Sequence, residues 1–124
     1  MVNKSILLNL FKKIVIKINI NMPELISDIN VFREKIASNN LTVVDFTATW
    51  CGPCQVVAPK FVELSNKNPG CNFYKVDVDD GEEIAQECDI QCMPTFKFYK
   101  NGQLLDTVTG NNINSVENKV LQYV

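Results

Sequence analysis

Leu41-Thr42-Val43-Val44-Asp45-Phe46-Thr47-Ala48-Thr49-Trp50-Cys51-Gly52-Pro53-Cys54 is the stretch that decides the fold. Leu41 to Phe46 is a short, nearly continuous apolar run, rich in β-branched residues, with one acid, Asp45, inside it. Such a run reads as a central strand covered on both faces, hence parallel to a neighbour. The pattern then changes to a helix from about Pro53 to Asn66, with Val56, Val57, Phe61 and Leu64 apolar and Pro59 expected to kink it. Two cysteines therefore stand where a buried strand meets a helix N-terminus.

Two thiols at this spacing can close a small disulfide ring across the first helical turn. Cys51 lies where unpaired N–H groups and the helix dipole favour a thiolate. Pro53 loses nothing there, because its missing N–H would be unpaired anyway. Cys54, one turn in, is expected to be shielded, which suits a resolving thiol. Desolvation raises the pKa of an acid inside an apolar strand, so Asp45 becomes a usable base near neutrality. Two rival readings stand beside these. Cys51 and Cys54 could be half of a zinc site completed by Cys88 and Cys92, although a zinc knuckle wants a turn where this chain has a strand end. Asp45 could also be an edge acid reaching solvent.

Working outward, the elements alternate as in an α/β domain. Asp28 can cap a helix from Ile29 to about Ser38, with Ile29, Phe32 and Ile36 at helical spacing. Phe73 to Val78 is a strand with Tyr74, Val76 and Val78 on one face and Phe73, Lys75 and Asp77 on the other. Glu82 to Glu87 is a short helix with acids suited to its N-terminal dipole. Asn101-Gly102, between runs 95–99 and 103–108, signals a hairpin. Asn112 can cap a last helix carrying Val116, Val120, Leu121 and Val124.

Length and composition bound the rest. A chain of 124 residues, 46% apolar, is expected to be one domain with an ordinary core. Twelve Lys and Arg against fourteen Asp and Glu leave no global basic footprint for nucleic acid. With no histidine, a Ser-His or Cys-His pair, a His-ligated metal and a His-based pH switch are all excluded.

Residues 1–21 differ from the body: Lys4, Lys12, Lys13 and Lys17 are four of the twelve basic groups, with no acid among them. The run Ser5 to Phe11 is short for a secretory h-region, and the lysines interrupt any membrane span. The segment is acid-free like a mitochondrial presequence, but holds no Arg and one Ser. Ile14, Ile16, Ile18 and Ile20 alternate as an extra edge strand would, and Met22 is an alternative start. Residues 1–21 are therefore read as an extension of unknown role and 22–124 as the domain. Five cysteines, an odd number, without a credible signal peptide fit a reducing compartment.

Asp45-Phe46-Thr47-Ala48-Thr49-Trp50-Cys51-Gly52-Pro53-Cys54, Lys75-Val76-Asp77-Val78-Asp79 and Met93-Pro94-Thr95 together resemble the thioredoxin family, in its order and at its separations. The match runs from about Met22 to the C-terminus. Cys88 and Cys92 resemble the animal cytosolic type, whereas Lys75 matches the bacterial pattern. The resemblance implies a thioredoxin fold, a three-layer sandwich whose central mixed sheet has helices on both faces. It implies a general protein-disulfide reductase with Cys51 as nucleophile, Cys54 as resolver and Asp45 accepting the proton of Cys54. Lys75 could tune Asp45 from the neighbouring strand or simply be exposed.

Trp50, Gly52, Pro53 and a cis Pro94 would contribute to the active site. Trp50, Met93, Pro94 and Gly110 would border the substrate, whose chain pairs with the backbone before Pro94 by strand addition. Gly52-Pro53 between the thiols argues against an oxidant or isomerase. No bound metal or organic cofactor is implied; electrons would come from NADPH through thioredoxin reductase. Other partners would be disulfide-containing proteins of the peroxiredoxin, ribonucleotide reductase and methionine sulfoxide reductase classes, with no nucleic acid or membrane. The chain is expected to be a cytoplasmic monomer, or mitochondrial if residues 1–21 act as a presequence. Cys71 and Cys88 read as bland, partly buried apolar residues. Cys92, on a loop beside the contact surface, is a candidate regulatory thiol that could link an oxidised dimer. The rival of a different class is a binding module whose reduced surface holds a partner without turnover.

Overall fold

A computed structural model describes residues 3–10 and 22–124. Residues 4–10 are helical, with Ile6, Leu7, Leu8 and Leu10 exposed. The alternating isoleucines read as a further strand lie outside the described residues. The body runs β1 (Glu24–Leu25), α1 (Ile29–Ile36), β2 (Thr42–Thr47), α2 (Gly52–Lys67), β3 (Asn72–Asp77), α3 (Glu82–Glu87), β4 (Thr95–Lys100), β5 (Gln103–Thr109) and α4 (Ile113–Tyr123).

The five strands form one sheet in the order β1-β3-β2-β4-β5. β2 pairs in parallel with β3, from Thr42 with Asn72 to Thr47 with Asp77, and antiparallel with β4. Every residue of β2 is buried, as its apolar run requires. Because side chains alternate across a strand, β2 and β3 feed two separate cores. Val43 and Phe73 join Phe96, Phe98, Val108, Val57, Phe61 and Leu64 of α2, and Val116 and Val120 of α4, on one face. On the other face Val44, Phe46, Val76 and Tyr99 meet Ile29 and Phe32 of α1 and Ile84 of α3, with Tyr74 and Val78 packed against them. The result is the three-layer α/β architecture that the resemblance implied. Burying one such side chain contributes about 1.5–3 kcal/mol. The exposed Arg33–Glu87 pair that links α1 to α3 contributes at most about 1 kcal/mol, so the two cores hold the layers.

The caps and turns follow their residues. Asp28 accepts from the N–H groups of Asn30 and Val31, and Asn112 from that of Ser115. Asn101 and Gly102 both have positive φ, 54° and 77°, as a two-residue hairpin of this type demands. One element went unforeseen, and one expectation is corrected. The edge strand β1, only two exposed residues long, gives no alternation to read. α2 runs from Gly52 to Lys67 with Pro59 inside it. In α4 only Val116 and Val120 are buried. Leu121 points about a quarter-turn away from their stripe and Val124 lies past the helix end, so both are exposed.

Candidate active site

β2 ends at Thr47, and the chain turns through Ala48, whose carbonyl accepts from the Cys51 N–H at 3.2 Å and the Gln55 side-chain amide at 3.1 Å. Cys51 is the N-cap of α2 in extended backbone, and its sulfur takes the role that a Ser or Asp oxygen takes at most helix starts. The Cys54 N–H donates to Cys51 Sγ at 3.2 Å. A disulfide joins Cys51 to Cys54, with their Cα atoms 5.3 Å apart. Both sulfurs lie in a small apolar cluster with Ala48, against which Val78 and Met93 pack. Cys51 keeps 7% of its surface exposed and Cys54 1%, so the helix-end sulfur is the more accessible of the two.

Alternation along β2 puts Asp45 on the same face as Val43, the face covered by α2, and nearer than Val43 to the start of that helix. There it stands in register with Lys75 of β3 on one side and Phe96 of β4 on the other. The carboxyl is 1% exposed, and neither oxygen has a hydrogen-bond partner among the described residues. Desolvation by burial raises its pKa to about 7, against a smaller downward pull from the partly buried Lys75. The edge-acid reading is therefore wrong, and Lys75 does bear on Asp45.

Trp50 is 68% exposed rather than a core aromatic. Its indole N–H donates to Asp79 Oδ2 at 2.9 Å, and Asp79 is itself held by its N–H on Asp77 Oδ1 at 2.8 Å. Sequence reasoning passed over Asp79 as a partner of Trp50, because nothing in local spacing ties residues 29 apart. The Met93–Pro94 peptide is cis. The Pro94 carbonyl accepts from the Gly110 N–H at 2.8 Å, and Gly110 has φ +83°, a conformation glycine adopts without cost. Gly52 opens α2 with open space around its Cα, and Pro53 follows in the first turn.

The three other cysteines are free. Cys71 is buried, and burial pushes its thiol up. Cys88 is half-buried with its Sγ 3.6 Å from the Tyr99 hydroxyl, and burial pushes it up as well. Cys92 is exposed. Among the described residues no group of three or more His, Cys, Asp or Glu side chains could hold a metal ion, which leaves the four-thiolate zinc reading without a site.

Comparison with known proteins gives the same picture. The sequence profile of the thioredoxin family matches residues 24–122. A thioredoxin of Ictalurus punctatus is 50% identical over 99 residues, 77% of this chain and 92% of the relative. The crystal structure of the Malassezia sympodialis thioredoxin superposes with a TM-score of 0.79 at 40% identity, over 83% of this chain and 94% of the other. The oxidised mitochondrial thioredoxin 3 of Saccharomyces cerevisiae gives 0.77 at 37% identity, over 81% and 94%. With a dithiol pair closed at the start of α2, a buried acid on the strand before it and relatives matched over most of their length, the chain belongs to the thioredoxin family of protein-disulfide oxidoreductases.

Proposed function

We propose that the chain is a general protein-disulfide reductase in which Cys51 attacks, Cys54 resolves and Asp45 accepts the proton of Cys54. The Cys51 thiolate attacks one sulfur of a substrate disulfide, and a Cys51–substrate disulfide forms while the other substrate sulfur leaves and takes a proton. Cys54 then loses its proton to Asp45 and attacks Cys51 Sγ. The second substrate thiol leaves, and the chain is left with the Cys51–Cys54 disulfide. Two electrons have passed to the substrate. The observation that carries this reading is the disulfide itself, closed between a helix N-cap sulfur and a more buried sulfur one turn in. Trp50, Met93, Pro94 and Gly110 would border the substrate chain, and Gly52 and Pro53 shape the ring between the sulfurs.

Reduction of the spent disulfide falls to thioredoxin reductase and NADPH, the supply that the family resemblance implies. The deciding experiment follows NADPH consumption with thioredoxin reductase and insulin. Catalytic amounts of the chain sustain it, and Cys51→Ser abolishes it. A chain that reduced no more than one equivalent of insulin would be a binding module instead.

Residues 22–124 are the working domain in this reading, and 1–21 an extension of it. Three free cysteines suit a reducing compartment and support the cytoplasm as its location. If residues 1–21 act as a presequence, the alternative is the mitochondrion, where one structural relative resides. N-terminal sequencing of the native protein separates the two.

Cys92 is the regulatory candidate because it is the exposed free thiol, while Cys71 is buried and Cys88 faces Tyr99. Once the active disulfide has formed, diamide should produce a slow, reductant-reversible dimer across a two-fold axis. On non-reducing gels that dimer should vanish in Cys92→Ser and persist in Cys71→Ser. A dimer surviving Cys92→Ser would make Cys92 inert.

A further inference from the structure

The loop between α3 and β4 carries a hydrogen-bond arrangement that the reaction scheme does not use. Thr95, 3% exposed at the start of β4, donates its hydroxyl to the Cys92 carbonyl at 2.7 Å. On the far side of Met93, the Pro94 carbonyl is held by the Gly110 N–H. Thr95 is itself locked in the sheet, in register with Phe46 of β2 and Thr109 of β5. The segment Cys92–Met93–Pro94 is thus pinned at a carbonyl on each side of Met93. Among the described residues, the Met93 backbone itself makes no hydrogen bond.

We propose that Thr95 is a positioning residue for substrate: its hydroxyl fixes the Cys92 carbonyl, and so sets the direction in which the Met93 backbone meets an extended polypeptide. The inference rests on the reading above, in which a substrate chain pairs with the backbone before Pro94. The hydroxyl is well placed for this role, one residue beyond Pro94 and bonded back across Met93. The bond between Thr95 and the Cys92 carbonyl is part-buried, so its loss costs the fold one neutral hydrogen bond, and the Ser rescue and the two oxidants below separate that cost from a loss of positioning. What is also lost is the fixed direction of the peptide. Cys92 adds a weaker link. Its Sγ lies 3.8 Å from the same Thr95 oxygen, whose lone pairs remain open to an S–H donor while its own proton is on the carbonyl.

The test uses two oxidants that differ in whether they lay a polypeptide on the loop. The pre-reduced full chain is mixed in stopped flow with insulin, a protein disulfide, and with 5,5′-dithiobis(2-nitrobenzoate), which has no backbone to pair. Thr95→Val keeps the branched shape and removes the hydroxyl. It should lower the second-order rate constant for insulin about fivefold, roughly the weight of one neutral hydrogen bond, and leave that for the small disulfide within about twofold. Thr95→Ser should restore the insulin rate, and Cys92→Ala should lower it less than Thr95→Val does. Equal loss with both oxidants, no loss with insulin, or no rescue by Ser would overturn the proposal. Should the Val chain not fold by circular dichroism, Thr95→Ala against Thr95→Ser is read in the same way. Cys51→Ser, which must silence insulin and remove the fast phase with the small disulfide, leaving the slower reaction of the exposed Cys92 thiol, separates failure of this inference from failure of the underlying reaction scheme.

Discussion

Cys54→Ser should stop turnover and leave the chain covalently joined to its substrate. Attack by Cys51 needs only the helix N-terminus, which the substitution leaves in place. Resolution needs a second sulfur held one turn away, with its Cα 5.3 Å from that of Cys51. Such an intramolecular nucleophile carries an effective concentration far above that of any free thiol in solution. Steady-state insulin reduction should therefore fall at least about a hundredfold. A reductant-sensitive adduct should accumulate on non-reducing gels, with Cys51 as the linked residue by mass spectrometry. Cys51→Ser should give neither turnover nor adduct. A Cys54→Ser chain that turned over at the parental rate would show that the two sulfurs have been given the wrong roles.

Asp45→Asn should stabilise the fold and slow resolution at the same time. The native carboxyl titrates at about 7, above the 3.8 of a free aspartate, because burial disfavours its charge. Between those two values the folded chain binds more protons than the unfolded one, so stability falls as pH rises through that window. Above about pH 7 the full penalty is present, and a shift of this size corresponds to about 4 kcal/mol. At pH 8, urea unfolding should show Asp45→Asn more stable by an amount approaching that figure. At pH 4, where Asp45 is protonated in the fold, the gain should largely disappear. In single-turnover kinetics the step from mixed disulfide to product should slow roughly a hundredfold, the lower range for a positioned general base. The inflection near pH 7 should vanish with it. An unchanged pH–rate profile together with unchanged stability would remove Asp45 from the mechanism.

The central elements were legible because each follows from a local rule. A six-residue apolar run has one solution, burial on both faces, and β2 adopts it. Asp28, Asn112 and Asn101-Gly102 act through backbone groups within three residues of themselves, so spacing alone located them. The Cys51–Cys54 ring is local in the same sense. Features that join distant parts of the chain were not legible. The Trp50–Asp79 bond spans 29 residues, and it ties an exposed aromatic to the loop after β3. β1 is too short to carry a period. Thr95 was quoted only as part of a motif, and its hydroxyl matters through a loop whose path is set by β4, β5 and Gly110.

The Trp50–Asp79 link also makes the chain its own optical probe. Trp50 is the sole tryptophan in the sequence, adjacent to Cys51 and tethered by its indole N–H. A disulfide quenches an excited indole held beside it, so emission intensity follows the oxidation state of the two sulfurs rather than that of the whole molecule. Because the ring is already in water in the folded chain, its emission wavelength moves little when the chain unfolds. Emission intensity thus reads redox state in the folded chain, while emission wavelength says little about folding, which is better followed by far-ultraviolet dichroism.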